Sequence, residues 1–236
     1  FHTAYSSELL QEISSHFKEL DINEKYRLLE DSWMSLRIDQ ISFDDFMELL
    51  ALYKHEKDKN IWALVSGIFS TMYKIFPDKN LGLFIGKFCE PSLEVLGKEY
   101  NENSSQEESQ LRSIVCGLYA KYSSDKEFNN YFVDLFESNK YEEYNDGNYY
   151  NLVLSIAGMD QSVSVTKYLD KFIEAETPQI EGRYRSMLWG LCDPKTPKTV
   201  LNAILEGTIR GADAPYIISG LISHKENGEA AWMIVK

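Results

Sequence analysis

Apolar residues recur at steps of three and four along most of this chain. The clearest run is Ile61, Leu64, Val65, Ile68, Phe69, Met72, Tyr73 and Phe76, which share one stripe of a helix. Asn60 suits the N-cap, because its side chain accepts from an N–H that the first turn leaves unpaired. Pro77 ends the run, since it has no N–H and clashes with the preceding turn. A second run is Phe43, Phe46, Met47, Leu49, Leu50 and Tyr53, preceded by Ser42, with Asp44 and Asp45 in the first turn where negative charge suits the helix dipole. A third extends from Asn23 through Tyr26, Leu29 and Trp33 to Leu36. Strand patterning is scarce. Val163-Ser164-Val165 alternates briefly inside a helical stretch, and residues 1–7, with Phe1 and Tyr5, read as extended. The polar segment from Asn101 to Glu108 predicts an exposed loop and the weakest point in the chain's organisation.

The second half repeats one plan. A helix, a short turn and another helix recur around Asp125, Asp160, Asp193 and Glu226, with a period of roughly 33–35 residues, the range of helical-hairpin repeats. One hairpin alone cannot hide its apolar stripe, whereas stacked neighbours bury a continuous core. The predicted fold is therefore all-α, a superhelical array of antiparallel helix pairs of the HEAT- or armadillo-like α-α solenoid kind. Such an array has a concave face suited to holding something.

Composition narrows the function classes. The net charge of −13 argues against nucleic acid, which needs a positive footprint. No apolar stretch reaches the roughly 18 residues that span a bilayer, so no membrane partner is expected. Cys89, Cys116 and Cys192 lack CxxC spacing and read as buried free thiols in a reducing, cytoplasmic setting. The absent initiator Met and the uncapped apolar run at 230–236 lead us to expect a piece of a larger protein, cut at its C-terminal end.

The motif search finds little chemistry. His55-Glu56 begins like HExxH, but Lys59 stands where the second His belongs, so His55 reads as a solvated residue near a helix end. Gly82 and Gly86 lie in an apolar helix without the Lys-Ser/Thr of a phosphate loop. No GxSxG elbow occurs. Arg183, Arg185 and Arg210 stand out against the acidic background, either as internal salt-bridge partners or as docking points for a peptide carboxylate or adjacent domain. Tyr141, Tyr144, Tyr149 and Tyr150 cluster around an acidic turn, and packing between helices with hydroxyls reaching water is expected.

The segment Asn23-Glu24-Lys25-Tyr26-Arg27-Leu28-Leu29-Glu30-Asp31-Ser32-Trp33 resembles the opening of the C-terminal helical domain in zinc aminopeptidases of the aminopeptidase N type. Ile41-Ser42-Phe43-Asp44-Asp45-Phe46, Glu56 and Trp62 continue the match. Thr208-Ile209-Arg210-Gly211-Ala212-Asp213-Ala214-Pro215-Tyr216 and Asn227-Gly228-Glu229-Ala230-Ala231-Trp232 are similar to the closing repeats. The acidic, Tyr/Ile/Lys-rich style resembles archaeal members that work beside a tricorn-type protease.

The resemblance implies that residues 1–7 end a preceding β-sandwich and that residues 8–236 form the helical domain. It implies a cap that closes over a catalytic zinc domain of the same polypeptide and admits peptide substrates. The family's zinc motif and GxMEN loop have no counterpart here, so this segment is expected to carry no catalytic residue, no metal ligand and no cofactor, with zinc in the parent enzyme. Arg210 matches an Arg near the substrate cavity of some relatives. Asp213 is retained beside it, and Ala212 stands where the family often has Gln, so Arg210 and Asp213 are the candidate substrate-binding residues. The rival reading is a free-standing helical-repeat scaffold that binds partner proteins. An autonomous hydrolase built on clustered carboxylates has no supporting constellation.

Overall fold

The structure is a computed structural model and is described over residues 3–236. Phe1 and His2, on which part of the strand expectation rests, lie outside the described residues. Residues 3–6 have no regular structure, and Ser7 already opens the first helix, capped by the Ser6 hydroxyl on the Leu9 N–H. Thirteen α-helices occur among the described residues, with no strand. The chain divides into two compact units that meet at Ser124 and Asp125.

The first unit holds α1 (Ser7–Ser15), α2 (Ile22–Arg37), α3 (Phe43–Ala51), α4 (Lys59–Ile75), α5 (Lys79–Leu96) and α6 (Gln106–Tyr122). Helix α2 begins with a capping box. The Asp21 carboxylate accepts from the Asn23 and Glu24 N–H groups, and the Glu24 side chain accepts from Asp21 N–H. Ser42 caps α3 as expected. Helix α4 starts earlier than its pattern suggests. Asp58 is the cap, accepting from Asn60 and Ile61 N–H, so Asn60 sits inside the first turn. A carboxylate is as good a cap as an amide and also meets the positive end of the helix dipole.

The stripe of α4 is buried from Ile61 to Met72, with Leu64 and Tyr73 half-buried, but Phe76 lies past the helix end and is 71 % exposed. Ile61, Trp62, Val65, Ile68, Phe69 and Met72 all face the core. Trp62 and Phe69 meet Phe88 of α5 edge-on, at centroid distances of 5.5 and 5.1 Å. The segment at 101–108 is an exposed loop, as expected, only as far as Ser105, and the chain divides at Ser124 and Asp125 instead. Gln106 to Glu108 form the first turn of α6 under a Ser105 cap, and α5 and α6 pack closely. A Cβ on Gly86 would lie 2.9 Å from the Ser123 backbone, so the absent side chain lets α5 approach the end of α6.

The second unit holds α7 (Lys126–Glu137), α8 (Gly147–Ala157), α9 (Val165–Ile173), α10 (Pro178–Met187), α11 (Thr196–Leu205), α12 (Ala214–Ser223) and α13 (Gly228–Val235). Val163 and Ser164 lie in the turn before α9, which Ser164 caps, not in a helix. Backbones approach most closely between α7 and α8, α9 and α10, and α12 and α13, while α8–α10, α9–α11 and α11–α13 link alternate helices. The turns expected at Asp160 and Asp193 are present, at 158–164 and 188–195, but the helices they join are not the closest pairs, since the short connection at 174–177 folds α10 back onto α9.

The repeated turns are tied to one another by buried polar groups. Asp193 is 6 % exposed, and its carboxylate accepts from Val165 N–H, at the start of α9, and from Lys195 N–H, each at 2.9 Å. Asn227 Nδ2 donates to the carbonyls of Leu191 and Asp193 at 2.9 and 3.1 Å, and Cys192 N–H donates to Gly158 O at 2.8 Å. The spacing of about 34 residues seen in the sequence is thus the spacing of a turn-to-turn ladder.

Candidate functional site

The two candidate substrate-binding residues lie together, but through intermediaries. Glu181 and Arg185 are one helical turn apart on α10, so both project from the same face. Arg210 lies in the connection after α11, and Asp213 immediately precedes α12. A backbone bond from Asp213 N–H to Arg210 O holds these two in one turn. Arg210 Nη2 donates to both oxygens of Glu181 at 2.9 and 3.0 Å, and Arg185 Nη1 donates to Asp213 Oδ2 at 2.9 Å. The result is an open chain, Arg210–Glu181–Arg185–Asp213, that is electrically balanced within an acidic protein.

The internal salt-bridge reading of Arg185 and Arg210 is therefore realised. Partial exposure keeps each such pair worth only about 0–1 kcal/mol, so the chain fixes geometry more than it stabilises. The Arg210 side chain stays 67 % exposed and spends one nitrogen on Glu181, which leaves Nε–H and Nη1 open to a ligand. Arg183 is separate from this group and lies over the Tyr150 ring, 4.9 Å from its centroid. Glu181 is the member that the sequence reading missed. Its signal was the Glu181-x-x-x-Arg185 spacing on an unassigned helix.

The tyrosine cluster packs between helices, and the hydroxyls of Tyr141 and Tyr150 are buried, not in water, while Tyr144 stays half-exposed. Tyr184 of α10 is the hub, with its Oη 2.7 Å from Tyr141 Oη and 2.8 Å from Tyr150 Oη. Burial, and then these bonds, raise the Tyr184 phenol well above its ordinary value. Tyr141 and Tyr150 are also pushed up by burial, so all three remain protonated and the network is neutral.

The first unit contains a cavity of about 550 Å³. The 55–57 segment, the C-terminal half of α5 (Pro91, Val95, Leu96) and the first turns of α6 (Glu107, Glu108, Leu111) line it. His55 is exposed, as expected of a solvated residue at a helix end.

No curated protein matches the chain. The family described as ERAP1-like C-terminal domain matches residues 1–236. The chain belongs to that family. An ERAP1-like C-terminal domain is a C-terminal domain of an M1-type aminopeptidase, and this one presents the helical fold that the resemblance implied.

Within this ERAP1-like domain the remaining chemistry is quiet. All three cysteines are free, and burial raises each thiol, Cys116 to about 12, which keeps them protonated and poorly nucleophilic. Among the described residues no group of three or more His, Cys, Asp or Glu is placed to hold a metal ion. No helix among them is long and apolar enough to cross a membrane.

Proposed function

We propose that this chain is the helical cap of a zinc-dependent aminopeptidase that removes N-terminal residues from peptides in the cytoplasm. The match of residues 1–236 to the ERAP1-like C-terminal domain carries this reading. Among the described residues no group of three or more His, Cys, Asp or Glu is placed to hold a metal ion, and none of these side chains is assigned a catalytic step. The metal belongs to a catalytic domain of the same polypeptide, and a tricorn-type protease is the proposed source of peptides. The cap's part is exclusion: it closes the substrate chamber and limits access to peptides.

Within the cap, Arg210 offers its unspent N–H groups to a peptide carboxylate or carbonyl, and Glu181 orients it. Asp213 acts through Arg185 and the turn that it shares with Arg210. The test compares the aminopeptidase with and without this domain on a dipeptide-sized reporter and on peptides of increasing length. Loss of length discrimination on removing the cap is the expected result. Unchanged turnover and discrimination would end the cap reading in favour of a free-standing interaction scaffold. Chelator-sensitive turnover by the purified 236-residue chain would also overturn it.

A further inference from the structure

The cavity of about 550 Å³ in the first unit is far larger than one water and lies in the range that holds small ligands. The apolar part of its wall is aliphatic, made by Pro91, Val95, Leu96 and Leu111, and His55, Ser92 and Ser105 add polar groups. Val95 is 74 % exposed despite facing this hollow, an apolar surface with nothing laid against it. The charges around the hollow fall into two sets. Glu56 is held by Lys25 at 2.7 Å, and Glu108 by Arg112 and Ser104 at 3.1 Å each, so these two carboxylates serve the fold. Glu107 and Lys57, which also line the hollow, have no ion pair or side-chain hydrogen bond among the described residues.

We propose that this cavity binds a small zwitterion with an aliphatic body, namely a free aliphatic amino acid or its dipeptide. Lys57 takes the carboxylate, Glu107 takes the ammonium, and the side chain lies on Val95, Leu96 and Leu111. Charge complementarity selects this class. A purely anionic ligand meets Glu107 unpaired, a purely cationic one meets Lys57 unpaired, and a neutral hydrocarbon leaves both charges without a partner. The inference rests on the aminopeptidase reading only for why such a ligand is at hand, since aliphatic amino acids are products of that reaction. The site itself stands on the cavity.

The experiment is a titration of the 236-residue chain, followed by the methyl NMR signals of Val95, Leu96 and Leu111. L-leucine is expected to shift them saturably, with a Kd on the order of 1 mM, as suits a ligand of this size. N-acetyl-leucine, without the ammonium, and leucinamide, without the carboxylate, are each expected to bind up to about fivefold more weakly, the effect of one exposed ion pair. Glu107→Gln should erase the difference between leucine and N-acetyl-leucine, and Lys57→Gln that between leucine and leucinamide, with melting profiles confirming that both variants fold. No saturable shift, equal binding of all three compounds, or insensitivity to both substitutions overturns the proposal. Because the readout is binding, failure of the aminopeptidase assay leaves this result standing, and the reverse also holds.

Discussion

The unit up to Ser124 is built on four helices of 16 to 18 residues, whereas no helix after Asp125 exceeds 12. That difference in length governs how each unit holds together. A long helix carries four or more turns of apolar stripe, so shape contributes most to fixing its neighbours. Trp62, Val65, Phe69 and Phe88 do this in the first unit, where edge-on rings and aliphatic side chains fill the space between α4 and α5. A short helix of 8 to 12 residues offers two or three turns, and apolar packing alone leaves its register loosely set. The second unit adds directional bonds where the repeats meet, through the Tyr184 hub, the Asp193 carboxylate and the Asn227 amide. Hydrogen bonds specify position more sharply than dispersion does, and buried groups are costly when a partner is removed. The first unit also buries polar groups. Arg112 bonds Leu96 O, Ser104 and Glu108, and Tyr53 and Ser92 donate to the carbonyls of Lys25 and Lys54, so the contrast is one of degree.

The largest expected effect falls on the apolar side of this contrast. Trp62→Ala removes a fully buried ring and its Nε1–H bond to Glu56 O, and should cost about 3–5 kcal/mol in urea unfolding. Hydrogen exchange resolved by segment should show protection lost across α4 and α5. Little loss would mean that the first unit does not depend on its apolar seam.

Next come the polar ties. Tyr184→Phe leaves the Tyr141 and Tyr150 hydroxyls without their common partner, and Asn227→Ala does the same to two buried carbonyls. Each should cost about 1–3 kcal/mol, with exchange rising in α8–α13. Tyr53→Phe is the control, since it leaves only the Lys25 carbonyl without its tyrosine donor and should cost about 1 kcal/mol. Equal losses in the three variants would erase the contrast between the units.

Alkali gives a smaller and more gradual effect. The phenols of Tyr141, Tyr150 and Tyr184 have folded pKa values raised above the ordinary 10.0, so the unfolded chain loses these protons first. Their contribution is full below about pH 10 and declines as pH rises past it. Tyrosinate absorbance of these residues should appear together with unfolding, not before it. The smallest difference is local. Asp58→Ala should destabilise by about 0.5–2 kcal/mol, and Asn60→Ala by much less, in thermal melts, because Asp58 makes the capping bonds.

Much of this was legible beforehand. The stripe from Ile61 to Met72, the Ser42 cap and the position of the Asp193 turn follow from local rules that a linear pattern displays. The Asp21-x-x-Glu24 box was equally plain and would have placed the start of α2. The candidate site was legible in part. Arg210 and Asp213 were recognisable, but Glu181 lies 29 residues before Arg210, and no periodic signal joins them. Asn60 misled because two good caps stood two residues apart, and only the backbone path chooses between them.

The sequence by itself determined the class of this protein: helices, their apolar faces and a repeat of about 34 residues, all consequences of spacing along one chain. Only the tertiary structure decided which hydroxyl meets which, as with Tyr184 between Tyr141 and Tyr150, and that Arg210 answers to Glu181. The physical reason is range. Backbone geometry and apolar periodicity act over a few residues and are written in order, whereas a hydrogen bond of 2.7 Å between residues 43 apart exists only once the helices between them have packed.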